Sequence, residues 1–155
     1  MNFDDLSDDD IESLLKMPKR VTNPGAKWKT KPGHRQKNYT VKSDDYDFRL
    51  YQRQNLNDEE DFSCGLSVIK PDGQALTLVR FNGSSHVHDE IAYHCHIHKA
   101  SERAMRAGKK PERHAEKTDE YTTLEGALYT LVKMCSVSGL TGLKPDQPDM
   151  FDDSD

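Results

Sequence analysis

The 155-residue sequence predicts a single α+β domain, about a five-stranded, mainly antiparallel sheet covered by two C-terminal helices. Three observations predict it. Short runs rich in aromatic and β-branched residues, YTVK, DFRLYQRQ, FSCGLSVI and ALTLVRFN, follow one another between polar spacers, as a meander does. The KPDG turn, Lys70 to Gly73, puts Pro and Asp where a type I turn takes them and Gly where a left-handed residue follows, so its flanking strands pair as a hairpin. Two helical patterns then close the sequence, KASERAMRAG and TTLEGALYTLVKMC.

In chain order, Ser7 caps a short helix whose first turn holds Asp8, Asp9 and Asp10, with Leu6 stapled onto Ile11 and Pro18 as its stop. Ile11, Leu14 and Leu15 form a narrow stripe that docks on a larger body. VTNPGAKWKTKPGHRQ has two Pro-Gly pairs and no helical period, and reads as an extended basic arm. The organisation expected is therefore an acidic helix and arm over 1–37, a core domain over 38–143 and an acidic disordered tail over 144–155. Within the core, Ile91, Tyr93, Cys95 and Ile97 alternate with Ala92, His94, His96 and His98, the pattern of a strand with its apolar side on the core and three histidines displayed on the other. Gly108 stops the helix that follows, and Thr122 with Glu125 forms a capping box before a stripe of Leu124, Leu128, Leu131 and Cys135.

Charge is segregated. The net value is -5, but residues 1–12 carry six acids and no base, while Lys16 to Lys42 holds nine Lys or Arg and no acid. Such blocks are ordinarily solvated. A basic stretch carrying aromatics also suits a phosphate backbone and stacked bases, which makes Lys27, Trp28, Lys29, Lys31, Arg35 and Lys37, with Arg103 further on, the candidate nucleic-acid contacts. Cys64, Cys95 and Cys135 lack CxxC spacing and sit in apolar contexts, as buried thiols of a reducing compartment do. No apolar run approaches the roughly 20 residues that span a bilayer, and an acidic N-terminus has the wrong sign for a secretory leader, so a cytoplasmic protein with no membrane partner is expected.

Five of the seven histidines lie between His86 and His98. As an acid/base group, His94, His96 and His98 with Arg80 and Lys99 as cations would serve RNA cleavage by 2′-hydroxyl attack, with no cofactor. Arg80, on the face of Leu76 and Leu78, reads as a half-buried anchor. As metal ligands, His86, His88, His94, His96 and His98, with Glu90 completing the set, would hold one divalent transition metal. The bland alternative is a polar sheet face with no chemistry, in a non-enzymatic interaction or inhibitor module whose acidic ends engage a partner.

The segments KPGHRQKNY, FRLYQRQN, DFSCGLSV, LVRFNG, HIHKASERA and KPERHAEKTDEYTTLEGAL together resemble an uncharacterised bacterial and phage family, over about residues 27–137. A strand ending in Arg-Phe-Asn-Gly, a histidine-bearing strand and a polar loop into a Leu-Glu helix is similar, more loosely, to the TumE-like toxins of toxin–antitoxin pairs. Asn82, His86, His88, His94, His96 and His98 stand at the comparable places. That resemblance implies growth inhibition through RNA, a cognate antitoxin-like partner and a role in bacterial defence. It brings no established catalytic residues, and the first family has no assigned activity to transfer.

Overall fold

A computed structural model describes residues 1–85 and 91–146. The chain is α+β with a mostly antiparallel sheet, as expected, but among the described residues the sheet has nine strands rather than five. They are β1 (Lys19–Val21), β2 (Lys29–Lys31), β3 (His34–Lys42), β4 (Asp47–Asn55), β5 (Phe62–Ile69), β6 (Ala75–Asn82), β7 (His96–Lys99), β8 (His114–Lys117) and β9 (Val137–Ser138). Among the described residues three helices accompany them: α1 (Asp8–Lys16), α2 (Glu102–Arg106) and α3 (Leu124–Met134). The strand order is β8-β7-β6-β5-β4-β3-β1-β9, with β2 also paired to β3, and among the described residues only β1 and β9 run parallel.

The basic arm is part of this sheet. Pro32 and Gly33 (φ 81°) form the two-residue loop between Lys31 and His34, the positions a type II turn gives to Pro and to a left-handed residue. β3 therefore starts at His34, and the boundary expected between 37 and 38 falls inside it. α1 is equally integral, for Leu6, Ile11, Leu14 and Leu15 are buried in the same core as the sheet residues. Ser7 is its N-cap, as expected, and the cap is reciprocal: the Ser7 hydroxyl accepts from the Asp10 amide while the Asp10 carboxylate accepts from the Ser7 amide.

α3 packs against β4 and β5 through Leu124, Ala127, Leu128 and Leu131. Its N-cap is Thr123, whose hydroxyl accepts from Gly126 N at 3.0 Å, rather than Thr122. Thr122 instead gives its amide and hydroxyl to Asp146. Asp146 thus holds the start of the segment expected to be a free tail, while residues 147–155 of that tail lie outside the described residues. α2 has only five residues and lies in the connection between β7 and β8. All three cysteines are buried free thiols.

Two local events set the faces of the sheet. The β5–β6 register shifts at Leu66/Ser67, so that Leu66 faces Val79 while Ser67 faces Thr77, and Leu78 is the extra residue of a β-bulge. After the bulge Val79 and Phe81 continue the core side begun by Leu76, and Arg80 and Asn82 take the other. Arg80 is half-buried, as expected, but does not share a face with Leu76. The second event is at Tyr93, whose φ of 50° is left-handed and breaks the expected alternation. The histidine strand spans only His96–Lys99, and Tyr93 is 73% exposed rather than in the core.

Candidate active site

Beyond these two events, cross-strand register builds a polar grid on the sheet face opposite α3. One row runs Arg53, Ser63, Asn82, His96 across β4 to β7, and the next runs Tyr51, Gly65, Arg80, His98. Side chains two residues apart on a strand share a face, so the two rows form one surface. It lines a cavity of about 550 Å³, to which Asp61, Phe62 and Gly83 also contribute.

His96 and His98 are buried, each 2% exposed, instead of standing on an open solvent face. The loop after α2 accounts for part of this. Pro111 O accepts from Ser101 N at 3.0 Å, and the adjoining Glu112 is brought over β6 and β7. Glu112 O accepts from His98 Nδ1 at 2.9 Å, and its carboxylate pairs with Arg80 Nη1 at 3.1 Å. His96 Nδ1 in turn lies 3.1 Å from His94 O. A carbonyl oxygen can only accept, so both rings carry a proton on Nδ1, and in the neutral form the basic lone pair is on Nε2. The two rings are 5.1 Å apart, edge to face.

Asn82 Nδ2 lies 3.4 Å from His96 Nε2, consistent with that tautomer, while Asn82 Oδ1 is buried with no hydrogen-bond partner among the described residues. A buried acceptor without a donor costs about 1–3 kcal/mol, and such groups concentrate at functional sites. Below this pair the Tyr121 hydroxyl sits 2.8 Å from Asn82 O and 3.0 Å from His96 O, tying β6 to β7. Tyr51 crosses over Gly65, where a Cβ would come within 2.5 Å of its Cε1. Burial holds the Tyr51 phenol above its ordinary pKa, while Arg80 and the Ser63 hydroxyl pull it back down.

Of the expected acid/base residues, His96, His98 and Arg80 are thus brought together. His94 is not among the residues lining this cavity, and its Nε2 pairs with Asp119 at 2.9 Å. Lys99 pairs in register with Val79 on the core side of the sheet, and its Nζ reaches Glu12 of α1 at 2.9 Å. Tyr51, Arg53, Ser63 and Glu112 were not singled out from the sequence. The period-two pattern Arg49, Tyr51, Arg53 opposite Phe48 and Leu50 was a signal that could have found the β4 pair.

Among the described residues no group of three His, Cys, Asp or Glu is placed to hold a metal ion. His86, His88 and Glu90 lie outside the described residues. His96 and His98, each with Nδ1 on a backbone carbonyl, have the orientation of metal-ligating imidazoles, but a third donor is not among the described residues.

The expected nucleic-acid residues lie elsewhere. Trp28, Arg35 and Lys37 border a second cleft on the α3 side of the sheet, since Arg35 pairs with Gln54 and Lys37 with Gln52, the alternate positions to Tyr51 and Arg53. Lys27, Lys29 and Lys31 are exposed beside it, on and just before β2. Arg103 borders a third cleft with Lys109 and His114. Among the described residues no helix is long and apolar enough to cross a membrane. Comparison with family models, with curated proteins and with solved structures returns no match. The chemistry therefore has to be read from the geometry.

Proposed function

We propose that this chain is a metal-independent ribonuclease of toxin-like or defence-associated type, acting in the cytoplasm through the pocket of His96, His98, Arg80, Arg53 and Tyr51. The observation that carries the reading is the pair of imidazoles with Nδ1 committed to backbone carbonyls in a pocket that also holds two guanidinium groups. One Nε2 takes the proton of a ribose 2′-hydroxyl as its oxygen attacks the adjacent phosphorus. The other imidazole, protonated, gives its proton to the departing 5′-oxygen, leaving a 2′,3′-cyclic phosphate. Arg53, exposed at the mouth, and Arg80 balance the charge that builds on the phosphoryl oxygens.

The competing reading, a non-enzymatic module with acidic ends for a partner, is less favoured because the N-terminal acids are engaged within the chain. Asp5 pairs with Arg106 at 3.3 Å, Glu12 with Lys99, and the Asp8 carboxylate accepts from Glu102 N. An antitoxin-like partner would then cover the pocket rather than the acidic helix.

The test is incubation of purified protein with single-stranded RNA in excess chelator. Cyclic-phosphate and 5′-hydroxyl ends, an uncut all-deoxy strand, and a rate loss of about 100-fold or more in His96→Ala and His98→Ala are expected. Intact RNA, or cleavage indifferent to both variants, would falsify the assignment.

A further inference from the structure

The cleft on the α3 side has its own construction. Trp28 carries the Arg35 guanidinium 4.0 Å from its ring centroid and the Lys37 ammonium at 4.8 Å, and Lys37 also lies 5.9 Å from the Tyr39 ring. Two cations on one indole are held by ring electrons and, among the described residues, have no carboxylate within ion-pair distance, although Glu125 borders the cleft. Burial, and then the like charge of Arg35, lower the Lys37 pKa. An anion seated between them would relieve that repulsion.

Gln52 supplies the second observation. It borders this cleft, is only 5% exposed, and its side chain makes no hydrogen bond among the described residues. Its neighbour Gln54, by contrast, accepts from Arg35 at 2.7 Å and donates to Glu59 O at 3.1 Å. Neither polar atom of the carboxamide is sealed from solvent, and together they offer one donor and one acceptor side by side to the cleft, the pattern that reads the edge of a nucleobase. Leu124, Leu128, Leu140 and Leu143 supply apolar wall, and the cavity of about 520 Å³ lies in the range of roughly 300–1,000 Å³ typical of small-molecule sites.

We infer that this cleft binds a single nucleotide unit, with its base against the Gln52 carboxamide and the apolar wall and its phosphate on Arg35 and Lys37, as a site separate from the histidine pocket. The unit is either a free mononucleotide or the terminal residue of an RNA strand. Because Gln52 and Arg53 point to opposite faces, the bound unit cannot be the one whose phosphate is cleaved. The site positions a strand or reports nucleotide level, and it stands whether or not the histidine pocket is catalytic.

Trp28 is the only tryptophan, so its emission reports on the cleft directly. Full-length protein is titrated with AMP, GMP, CMP and UMP, with adenosine, with inorganic phosphate, and with a 5′-phosphorylated tetranucleotide, and the affinities are repeated by calorimetry. Saturable binding of at least one mononucleotide is expected, weakened 10-fold or more in Arg35→Ala and Lys37→Ala. Gln52→Leu should change the ranking of the four bases, and His96→Ala should bind as the parent does. Tighter binding of the tetranucleotide than of every mononucleotide identifies a strand end as the ligand; the reverse order identifies the free nucleotide. The inference fails if no mononucleotide saturates the signal, if inorganic phosphate or adenosine binds equally well, or if folded Arg35 and Lys37 variants bind undiminished.

Discussion

Gln52 and Arg53 are consecutive residues of β4 that border different clefts on opposite faces of one sheet. The period-two geometry of a strand makes this unavoidable, and it separates two groups of cations that the sequence presents as one surface. A basic arm clamping phosphate directly beside the histidines is therefore not what the sheet provides. Arg53 and Arg80 are the cations that line the histidine pocket, and Arg35 and Lys37 those that line the other cleft.

Burial of the imidazoles changes what their removal should do. On an open face His96→Ala and His98→Ala would leave stability almost untouched, but at 2% exposure with hydrogen-bonded rings each should cost about 1–3 kcal/mol. Urea unfolding followed by circular dichroism measures this. Variants with unchanged midpoints would show that the rings are not packed as described.

Tyr51 and Gly65 should be energetically coupled. Gly65→Ala pushes a methyl into the phenol ring and should cost about 1–3 kcal/mol, whereas in a Tyr51→Ala background the same change should cost far less. A double-mutant cycle on unfolding free energy reads the difference directly, and additive effects would sink the proposed overlap.

Lys19 is 3% exposed, and its ammonium donates to Leu15 O at 2.8 Å, Met17 O at 2.9 Å and Cys135 O at 2.8 Å while lying 5.0 Å from the Phe48 ring centroid. It joins the ends of α1 and α3. Lys19→Met keeps the stem but strands three carbonyls, so a loss of about 1–3 kcal/mol is expected in denaturant titrations. Proteolysis of α1 should accelerate in the same variant.

Stability should fall in alkali. Burial pushes Cys95 up to about 11 and Cys135 up to about 12, and moves Cys64 in the same direction. A folded pKa above the unfolded one contributes stability that is complete below the unfolded value, near 8.5, and is lost as pH rises toward the folded value. The loss should be about 1 kcal/mol per thiol by pH 9.5. Lys19, lowered to about 8 by burial, works the other way between about pH 8 and 10.4 and offsets part of it. Urea midpoints at pH 7.5 and 9.5 test the sign, and replacing all three cysteines by alanine should flatten the fall.

The features legible in the sequence were those decided within a few residues. Ser7 as the cap of α1 and the Lys70–Gly73 turn needed no tertiary information, and Gly73 N does donate to Lys70 O at 2.8 Å with Gly73 at φ 87°. The arm was not legible as strands because β2 is exposed along its whole length and β1 has only three residues, so neither carries a long apolar alternation. The face of Arg80 depended on the bulge at Leu78, and that of Tyr93 on a left-handed backbone that a tyrosine side chain does not announce. For the same reason the histidine pair was recognisable by residue type but placed in the wrong surroundings. Glu112, in a polar loop, became visible as its partner only through the fold.

The parallel pairing of Lys19 with Val137, and of Arg20 with Ser138, has a temporal consequence. A ribosome must add more than a hundred further residues after β1 emerges before its outer partner exists, and the Cys135 carbonyl that completes the Lys19 cradle comes equally late. During synthesis the β1 end of the sheet is an unpaired edge rich in lysine and arginine, whose mutual repulsion discourages neighbouring nascent chains from docking there. The basic block would then act as a gatekeeper while the chain is being made, quite apart from anything it binds once closed.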